Sequence, residues 1–275
     1  MRLIGVGMGP GDPELVTVKA VRVLQSAQRV FVPVLGEPGG EPSGAPGGRP
    51  GGEPGGAPGG APGGGPGRGG TEPGRAEATV RAHACHDRIE RLVFALNERT
   101  DRARREQHWD AAGRRVAEFL AGAPGATVAF ATIGDPNLYS TFSYLAQTVR
   151  DLVPGLRVET VPGITAMQEL AARSGIALAE GTEPLALLPM TDGLAPLATA
   201  LAGSGNVVAY KGRRRLTEIV AAVRDAGRLD GAVYGAHLGL AGEQIVPLAD
   251  ADPRTAPYLS ALLVPARRGR RGGAL

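Results

Sequence analysis

The sequence is poor in the residues that mark secreted, membrane-spanning or metal-binding proteins. Cys85 is the only cysteine, so the chain cannot form an internal disulfide framework. No segment holds the roughly 20 uninterrupted apolar residues that a membrane-spanning helix needs, and the first apolar run enters a glycine-rich turn too early for a signal peptide. We therefore expect a cytoplasmic protein with no membrane association.

Aromatic residues and lysines are also scarce. Aromatic side chains make up 4% of the 275 residues, so the cores must be built mainly from Ala, Val, Leu and Ile. Lys19 and Lys211 are the only lysines, beside a large number of arginines. Arginine suits bidentate contacts to carboxylates, which indicates an acidic ligand, although a bias in genome composition explains the same skew. The net charge of +3 is too small to indicate a nucleic-acid partner.

A glycine- and proline-rich tract interrupts an otherwise regular sequence. Between Gly36 and Gly67, proline recurs at every fourth position in Gly-x-Pro-Gly units. This period excludes a collagen triple helix, which needs glycine at every third position. The tract lacks the apolar side chains that would offset the entropy of ordering. We therefore predict a mobile loop at about 36–74.

The rest of the chain alternates between short apolar runs and segments with helical periodicity, a pattern typical of α/β domains. In the first part, strands are predicted at 3–6, 29–34, 92–94, 127–131 and 157–160, with helices at 16–27, 109–120, 139–149 and 165–173. In the second part, strands are predicted at 185–188, 207–210, 231–235 and 261–264, with helices at 194–201 and 216–226. We predict two consecutive α/β domains, 1–175 and 183–265, with a ligand cleft between them and a free basic tail at 266–275.

Three glycine-containing loops follow predicted strands, where α/β proteins often bind ligands. They are residues 5–12, 132–141 and 161–166. The first is not a dinucleotide fingerprint, because Pro10 occupies the third glycine position of G-x-G-x-x-G. Pro10 also lacks the N–H group that a phosphate-binding loop would use. Taken alone, this loop is either a structural turn or a ligand contact.

The other two loops also allow a structural and a functional interpretation. Gly134 permits close backbone approach, and Asp135 can accept hydrogen bonds from a ligand, but Asp135-Pro136 is equally a turn that starts a helix. Thr165 is placed either to contact a ligand or to cap the following helix. Because all three loops would gather at one edge of a sheet, together they favour a ligand site.

Evidence for a metal site or a hydrolase is weak. His83, Cys85 and His86 are close in sequence, but no second ligand pair has suitable spacing. The chain also lacks a Gly-x-Ser-x-Gly elbow and any paired-carboxylate motif. We therefore predict no metal and assign no catalytic residue.

The three loops, in this order, resemble those of the tetrapyrrole methylase family of S-adenosylmethionine-dependent methyltransferases, which have two α/β domains. Residues 5–20 match the family's opening, Gly-x-Gly-x-Gly-Pro-Gly-Asp-Pro-x-Leu-x-Thr-x-Lys-Ala. The second loop resembles the family's Gly-Asp-Pro loop, and the third resembles its Pro-Gly-Ile-Thr-Ala loop. The resemblance covers nearly the whole chain outside 36–74, where the family has a much shorter loop.

The resemblance implies the cofactor S-adenosylmethionine, held folded in the cleft between the domains. It also implies a homodimer. The implied cofactor contacts lie on the three loops and in the second domain: Pro10, Ile133, Gly134, Asp135, Leu138, Thr165, Ala166, Lys211, Ala236 and His237.

Within the family, three segments resemble the members that methylate carbon 20 of precorrin-2 to give precorrin-3A in cobalamin synthesis. They are residues 74–78, 130–142 and 161–170. A cobalt-containing substrate or another ring carbon remains an alternative, as does the more distant case of a member that methylates ribosomal RNA. A non-catalytic binding module would be a different class. The precorrin carboxylates would suit arginines 213–215, although these arginines equally suit a solvated helix start.

Overall fold

The computed structural model describes residues 1–34, 74–94, 102–191, 193–203 and 205–269. The predicted mobile loop at about 36–74 lies outside these ranges, apart from Gly74. The described residues form two five-stranded sheets with helices packed against them, which confirms the predicted α/β class. No helix within the described ranges is long and apolar enough to cross a bilayer.

The first sheet is entirely parallel, with strand order β3-β2-β4-β1-β5. Its strands are β1 (Arg2–Gly7), β2 (Arg29–Val34), β3 (Ile89–Val93), β4 (Thr127–Thr132) and β5 (Arg157–Val161). The helices of this part of the chain are α1 (Val18–Ser26), α2 (Arg75–Arg81), α3 (Arg102–Gly122), α4 (Phe142–Leu152) and α5 (Ala166–Ser174). The central strands β1 and β4 are continuous apolar runs because helices cover both of their faces.

The phenylalanines are concentrated on one face of this sheet. All five phenylalanines contribute to the core that packs α3 and α4 against the strands. The opposite face is built from smaller aliphatic side chains, among them Ala20 and Leu24 of α1. The expected aliphatic core is thus found on the second face, whereas the scarce phenylalanines fill the first.

Two helix starts differ from the sequence prediction by three residues or more. Helix α3 begins seven residues before the predicted start at 109, because its first two turns are polar and mostly exposed and so carry no apolar period. Helix α4 begins at Phe142 rather than at 139, because Tyr139 has a left-handed backbone with φ of 51°. A left-handed residue cannot continue into a right-handed helix.

The second sheet is mixed, with strand order β6-β7-β10-β8-β9. Its strands are β6 (Leu185–Pro189), β7 (Asn206–Tyr210), β8 (Val233–Ala236), β9 (Gln244–Pro247) and β10 (Ser260–Val264). Only β6 and β7 pair in parallel. Helices α6 (Ala195–Ala202) and α7 (Leu216–Asp225) belong to this part, and α5 also packs against β10. The sequence prediction missed β9 and α2, which are too short to show a clear period.

The basic run after β10 is not a free tail at its beginning, contrary to the sequence prediction. Arg268 donates two hydrogen bonds to the carboxylate of Glu183, at 2.8 and 2.7 Å. Arg267 donates to the carbonyl of Gly227 at 2.6 Å. The guanidinium of Arg268 lowers the pKa of Glu183 to about 2. A buried carboxylate just before β6 thus fixes the chain after β10.

Candidate functional site

The three loops predicted from sequence meet at the carboxyl edge of the first sheet. They follow β1, β4 and β5, which are neighbours in the sheet. The N–H of Met8 donates to the carbonyl of Thr132 at 2.9 Å, and the N–H of Gly134 donates to the carbonyl of Gly9 at 2.7 Å. The first two loops therefore extend the strand pairing by an isolated bridge beyond the strands themselves.

Glycines allow the three loops to approach one another closely. A Cβ atom on Gly7 would lie 2.5 Å from the nitrogen of Gly163 and 2.7 Å from the carbonyl oxygen of Gly134. A Cβ on Gly163 would overlap that same carbonyl. Gly134 has a φ of 68°, and this left-handed backbone conformation favours glycine because glycine has no Cβ to clash. Side chains at positions 7 and 163 would force the loops apart.

Asp135 connects the second loop to the third. Its Oδ2 accepts a hydrogen bond from the N–H of Gly163 at 2.9 Å, and its Oδ1 accepts one from the N–H of Asn137 at 2.7 Å. The turn interpretation of Asp135-Pro136 is therefore confirmed, but this turn does not start a helix, because α4 begins only at Phe142. Each oxygen keeps further lone pairs, so a ligand contact is compatible with this role and stays a prediction.

The third loop ends at Thr165, which is buried and is the N-cap residue of α5. Its N–H and its hydroxyl both donate to Oε1 of Gln168, at 2.8 and 2.9 Å. The predicted cap is thus confirmed. Within the first turn of α5, the N–H of Met167 donates to the hydroxyl of Tyr210 at 2.7 Å, which joins the third loop to the end of β7.

Backbone strain is concentrated around these loops. Among the described residues, the non-glycine residues with positive φ are Tyr139, Lys211 and His237, at 51°, 61° and 53°. Nζ of Lys211 lies 4.9 Å from the ring centroid of Tyr139, and this ring meets that of Tyr210 edge to face at 6.1 Å. Residues held in such strained backbone conformations often mark functional sites. Two of the three are predicted cofactor contacts.

The first loop contacts the second sheet where β8 ends. A Cβ on Gly11 would lie 2.5 Å from the carbonyl oxygen of Leu238, and one on Gly239 would lie 2.5 Å from the nitrogen of Asp12. Pro10 is buried next to this junction. The first loop is therefore enclosed between the two sheets, close to the end of β8.

Helix α2 adds a contact that the sequence analysis did not predict. Nη2 of Arg75 lies 2.9 Å from Nδ1 of His237. Arg75 begins α2, which follows β2 of the first sheet, whereas His237 follows β8 of the second sheet. One turn further along α2, the hydroxyl of Thr79 donates to the carbonyl of Gly11 at 3.4 Å. Helix α2 thus touches both the first loop and the end of β8.

A buried carboxylate anchors α2 from its other side. Glu77 is 1% exposed, and its oxygens lie 2.6 Å from Nη2 of Arg81 and 2.7 Å from Nε of Arg91 on β3. Burial raises the pKa of Glu77, but the hydrogen bonds and charges of the two arginines outweigh burial and lower the pKa overall. This ion triad positions α2 without any help from Arg75.

The structure places the predicted cofactor contacts along one continuous junction. Those in the first part of the chain lie on the three loops, with Pro10 and Thr165 buried and the others partly exposed. Those in the second part are Lys211, just after β7, Ala236, the last residue of β8, and His237. The sequence analysis did not select Arg75, Tyr139 and Tyr210, although Arg75 and Tyr139 lie within segments that carry the family resemblance.

The His83–Cys85–His86 group has ordinary structural contacts. Nε2 of His83 lies 2.9 Å from the carbonyl of Pro13, Nε2 of His86 lies 3.3 Å from the carbonyl of Arg81, and Cys85 is exposed. In the part of the chain that the structure describes, no three potential metal ligands cluster.

This arrangement defines the class of protein. The three loops lie at the carboxyl edge of a parallel sheet, where α/β proteins commonly bind ligands. The strand ends of a second, mixed sheet lie against these loops, so that a cleft forms between the two sheets. The sequence family described as Tetrapyrrole (Corrin/Porphyrin) Methylases matches residues 2–41 and 70–252. The chain belongs to this family, as its loops predicted. The match omits 42–69, which lie inside the Gly/Pro tract.

Two relatives cover almost the whole chain. Precorrin-2 C(20)-methyltransferase from Sinorhizobium sp. is 32% identical over 98% of this chain and 97% of its own length. Cobalt-precorrin-2 C(20)-methyltransferase from Salmonella typhimurium is 30% identical over 96% of this chain and 95% of its own.

A solved structure agrees with the fold. The crystal structure of uroporphyrin-III C-methyl transferase from Thermus thermophilus complexed with S-adenyl homocysteine superposes with a TM-score of 0.60 at 17% identity. The likeness covers 96% of this chain and 92% of that one. At this identity, it shows that the fold is shared.

Proposed function

We propose that this protein is an S-adenosylmethionine-dependent C-methyltransferase that methylates carbon 20 of precorrin-2 to give precorrin-3A, in cobalamin synthesis. The observation that carries the proposal is the set of three interlocked loops at Gly7, Gly134 and Gly163, in a chain 32% identical to a precorrin-2 C(20)-methyltransferase. The two domains are proposed to span 1–175 and 183–265, with Arg267 and Arg268 attached to the second.

The residues present suit the cofactor. Main chain without Cβ atoms lets a flat ligand lie against the loops, and Ile133 and Leu138 are partly exposed there as apolar surface. Lys211 and His237 are partly exposed and would hold the cofactor from the side of the second sheet. The side chain of Ala236 is buried, so its part is to shape the end of β8. Pro10 and Thr165 are buried, so their part is to shape the loops.

The chemistry explains why no catalytic triad is needed. When bound, the cofactor supplies an electrophilic methyl group on a sulfonium whose leaving group is neutral. No protein acid has to protonate that leaving group. The chain's own contribution is therefore to orient the reacting groups and to exclude water. The glycine contacts and the Asp135–Gly163 hydrogen bond serve this purpose, because they fix the loop backbone before any ligand binds.

Incubation with methyl-labelled S-adenosylmethionine and precorrin-2 tests the proposal. Mass spectrometry should show one added methyl group, and nuclear magnetic resonance should place it at carbon 20. Cobalt-precorrin-2 in a parallel reaction tests the second candidate substrate, which the relative from Salmonella typhimurium favours. Transfer to neither substrate, or to a different ring carbon, would contradict the proposal.

The proposal extends to a homodimer that works in the cytoplasm. The homodimer rests on family likeness, and the cytoplasmic location is the expectation of the sequence analysis. Light scattering coupled to size-exclusion chromatography should give twice the 28.1 kDa mass of one chain, and a monomer at micromolar concentration would contradict it.

A further inference from the structure

Arg75 has no acidic partner among the described residues, unlike Arg81 and Arg91. Arg81 and Arg91 share the carboxylate of Glu77. Arg75 forms a hydrogen bond with the imidazole of His237 and no ion pair with any carboxylate of the described residues. It is partly buried, and burial lowers its pKa from the ordinary value. A partly desolvated cation without a counter-charge is costly unless an anion completes its surroundings.

The geometry leaves most of the Arg75 guanidinium available. Of its three nitrogens, Nη2 is bonded to His237, while Nε and Nη1 have no hydrogen-bond acceptor among the described residues. A guanidinium presents its N–H groups as a fixed planar fork that matches a carboxylate. Because α2 is held by Glu77, the free edge of Arg75 is not needed to support the helix.

His237 holds the Arg75 guanidinium by Nη2, and not by the nitrogens of this free edge. A guanidinium only donates, so Nδ1 of His237 accepts, and its ring is neutral with the proton on Nε2. Burial and the charge of Arg75 both lower the pKa of His237, which keeps the ring neutral. His237 directly follows Ala236 and has a strained φ of 53°. Arg75 therefore lies where the first loop, α2 and the end of β8 meet.

We propose that Arg75 binds a carboxylate side chain of the tetrapyrrole substrate, next to a neutral His237 that orients its guanidinium. This inference rests on the proposed function, because it takes the substrate to be a ring with several carboxylates. The cofactor also has a carboxylate, in its methionine part. The experiment must therefore separate the two sources.

Arg75→Gln removes the charge, and Arg75→Lys keeps the charge but not the planar fork. Arg254→Gln is the matched control, because Arg254 is exposed and, among the described residues, its ion pair is with Asp252, which is nearby in sequence. Calorimetry measures the affinity for S-adenosylhomocysteine. Fluorescence quenching measures the affinity for uroporphyrin III, a stable tetrapyrrole that carries carboxylates, and steady-state kinetics give KM for precorrin-2.

The expected result is a selective loss of tetrapyrrole binding. Arg75→Gln should weaken uroporphyrin III binding and raise KM by about tenfold or more, since it removes the charge-assisted hydrogen bonds to the carboxylate. Arg75→Lys should lose less of the tetrapyrrole affinity, because it keeps the positive charge. S-adenosylhomocysteine affinity should fall much less than tetrapyrrole affinity in both variants, because Arg75 touches the cofactor site only through His237. The melting temperature should stay unchanged, and Arg254→Gln should change none of these quantities.

Three results would overturn the inference. Unchanged tetrapyrrole affinity in both variants would remove Arg75 from the substrate site. An equal loss of S-adenosylhomocysteine affinity would assign the arginine to the cofactor. A lower kcat with unchanged KM would leave it only a positioning role towards His237. Failure of the proposed function gives a different result: the unmodified protein would bind uroporphyrin III but transfer no methyl group to carbon 20.

Discussion

Oδ2 of Asp135 accepts a hydrogen bond from the N–H of Gly163 at 2.9 Å, and so joins the loop after β4 to the loop after β5. Oδ1 simultaneously holds the turn at Asn137. One carboxylate thus fixes two of the three loops of the proposed cofactor site. Any effect of Asp135 on ligand binding therefore includes a part that acts through loop position.

Replacement of Asp135 by alanine should weaken S-adenosylhomocysteine binding while the fold stays intact. The lost hydrogen bonds to a charged group correspond to roughly 1.5–3 kcal/mol, or about 10- to 150-fold in affinity. Calorimetry gives the dissociation constant, and circular dichroism reports the fold. An unchanged dissociation constant would remove Asp135 from the site in either role.

Gly163→Ala should separate the loops, because a Cβ there would overlap the carbonyl of Gly134. Overpacking of this kind costs about 1–3 kcal/mol, and we expect both a lower melting temperature and weaker cofactor binding. Gly122→Ala is the control, since a Cβ at this helix end meets nothing within 4 Å and should be neutral or slightly stabilising. Equal behaviour of the two variants would show that close loop packing is unimportant.

The Glu183–Arg268 pair should make stability depend on acid pH. The pKa of Glu183 is lowered from 4.5 to about 2, chiefly by the hydrogen bonds from Arg268. A lowered pKa contributes stability that is present above pH 4.5 and lost as the pH falls towards 2. Glu183→Gln should therefore lower the midpoint of urea unfolding more at pH 7 than near pH 2, where most of this stability is already lost.

Glu106→Gln is the control for this comparison, because Glu106 forms an exposed pair with Arg102 on α3 and such pairs contribute little. Urea titrations at both pH values measure the difference between each variant and the parent. A loss from Glu183→Gln that is the same at both pH values would mean that ionisation of this carboxylate is not what stabilises the fold.

Deletion of residues 37–72 should leave methylation and melting temperature nearly unchanged. The flanking positions are close together, since a Cβ on Gly74 would lie 3.7 Å from the carbonyl oxygen of Pro33. Loop-closure entropy changes by only about 0.6 kcal/mol per doubling of length, so shortening should be neutral or slightly stabilising. A tenfold or greater fall in kcat/KM at unchanged melting temperature would instead identify the tract as a working lid.

Cofactor binding should not require a metal. His83 and His86 are bonded to backbone carbonyls, and the three loops provide main-chain and carboxylate groups instead. Calorimetry with S-adenosylhomocysteine should give the same affinity before and after complete chelation. Binding that disappears on chelation and returns with zinc would contradict this, and no binding under any condition would favour the non-catalytic module.

The sequence by itself determined the α/β order, most strand positions and the three loops. Strand and helix periods are local signals, and the carboxyl ends of neighbouring parallel strands must meet at one edge. This reasoning placed the loops of Gly134, Asp135 and Thr165 together at that edge, as the structure has them. It missed β9 and α2, which are too short to show a clear hydrophobic period. It also misplaced the start of α4, where the left-handed backbone of Tyr139 interrupts the helix.

Only the tertiary structure decided which side chains face each other across the two sheets. Arg75 and His237 are 162 residues apart, and no period or spacing relates them. Arg268 and Glu183 likewise form an ion pair that turns a predicted free tail into part of the second domain. The physical reason is the same in both cases. A periodic pattern reports which face of an element is buried, whereas a long-range contact depends on how whole elements pack.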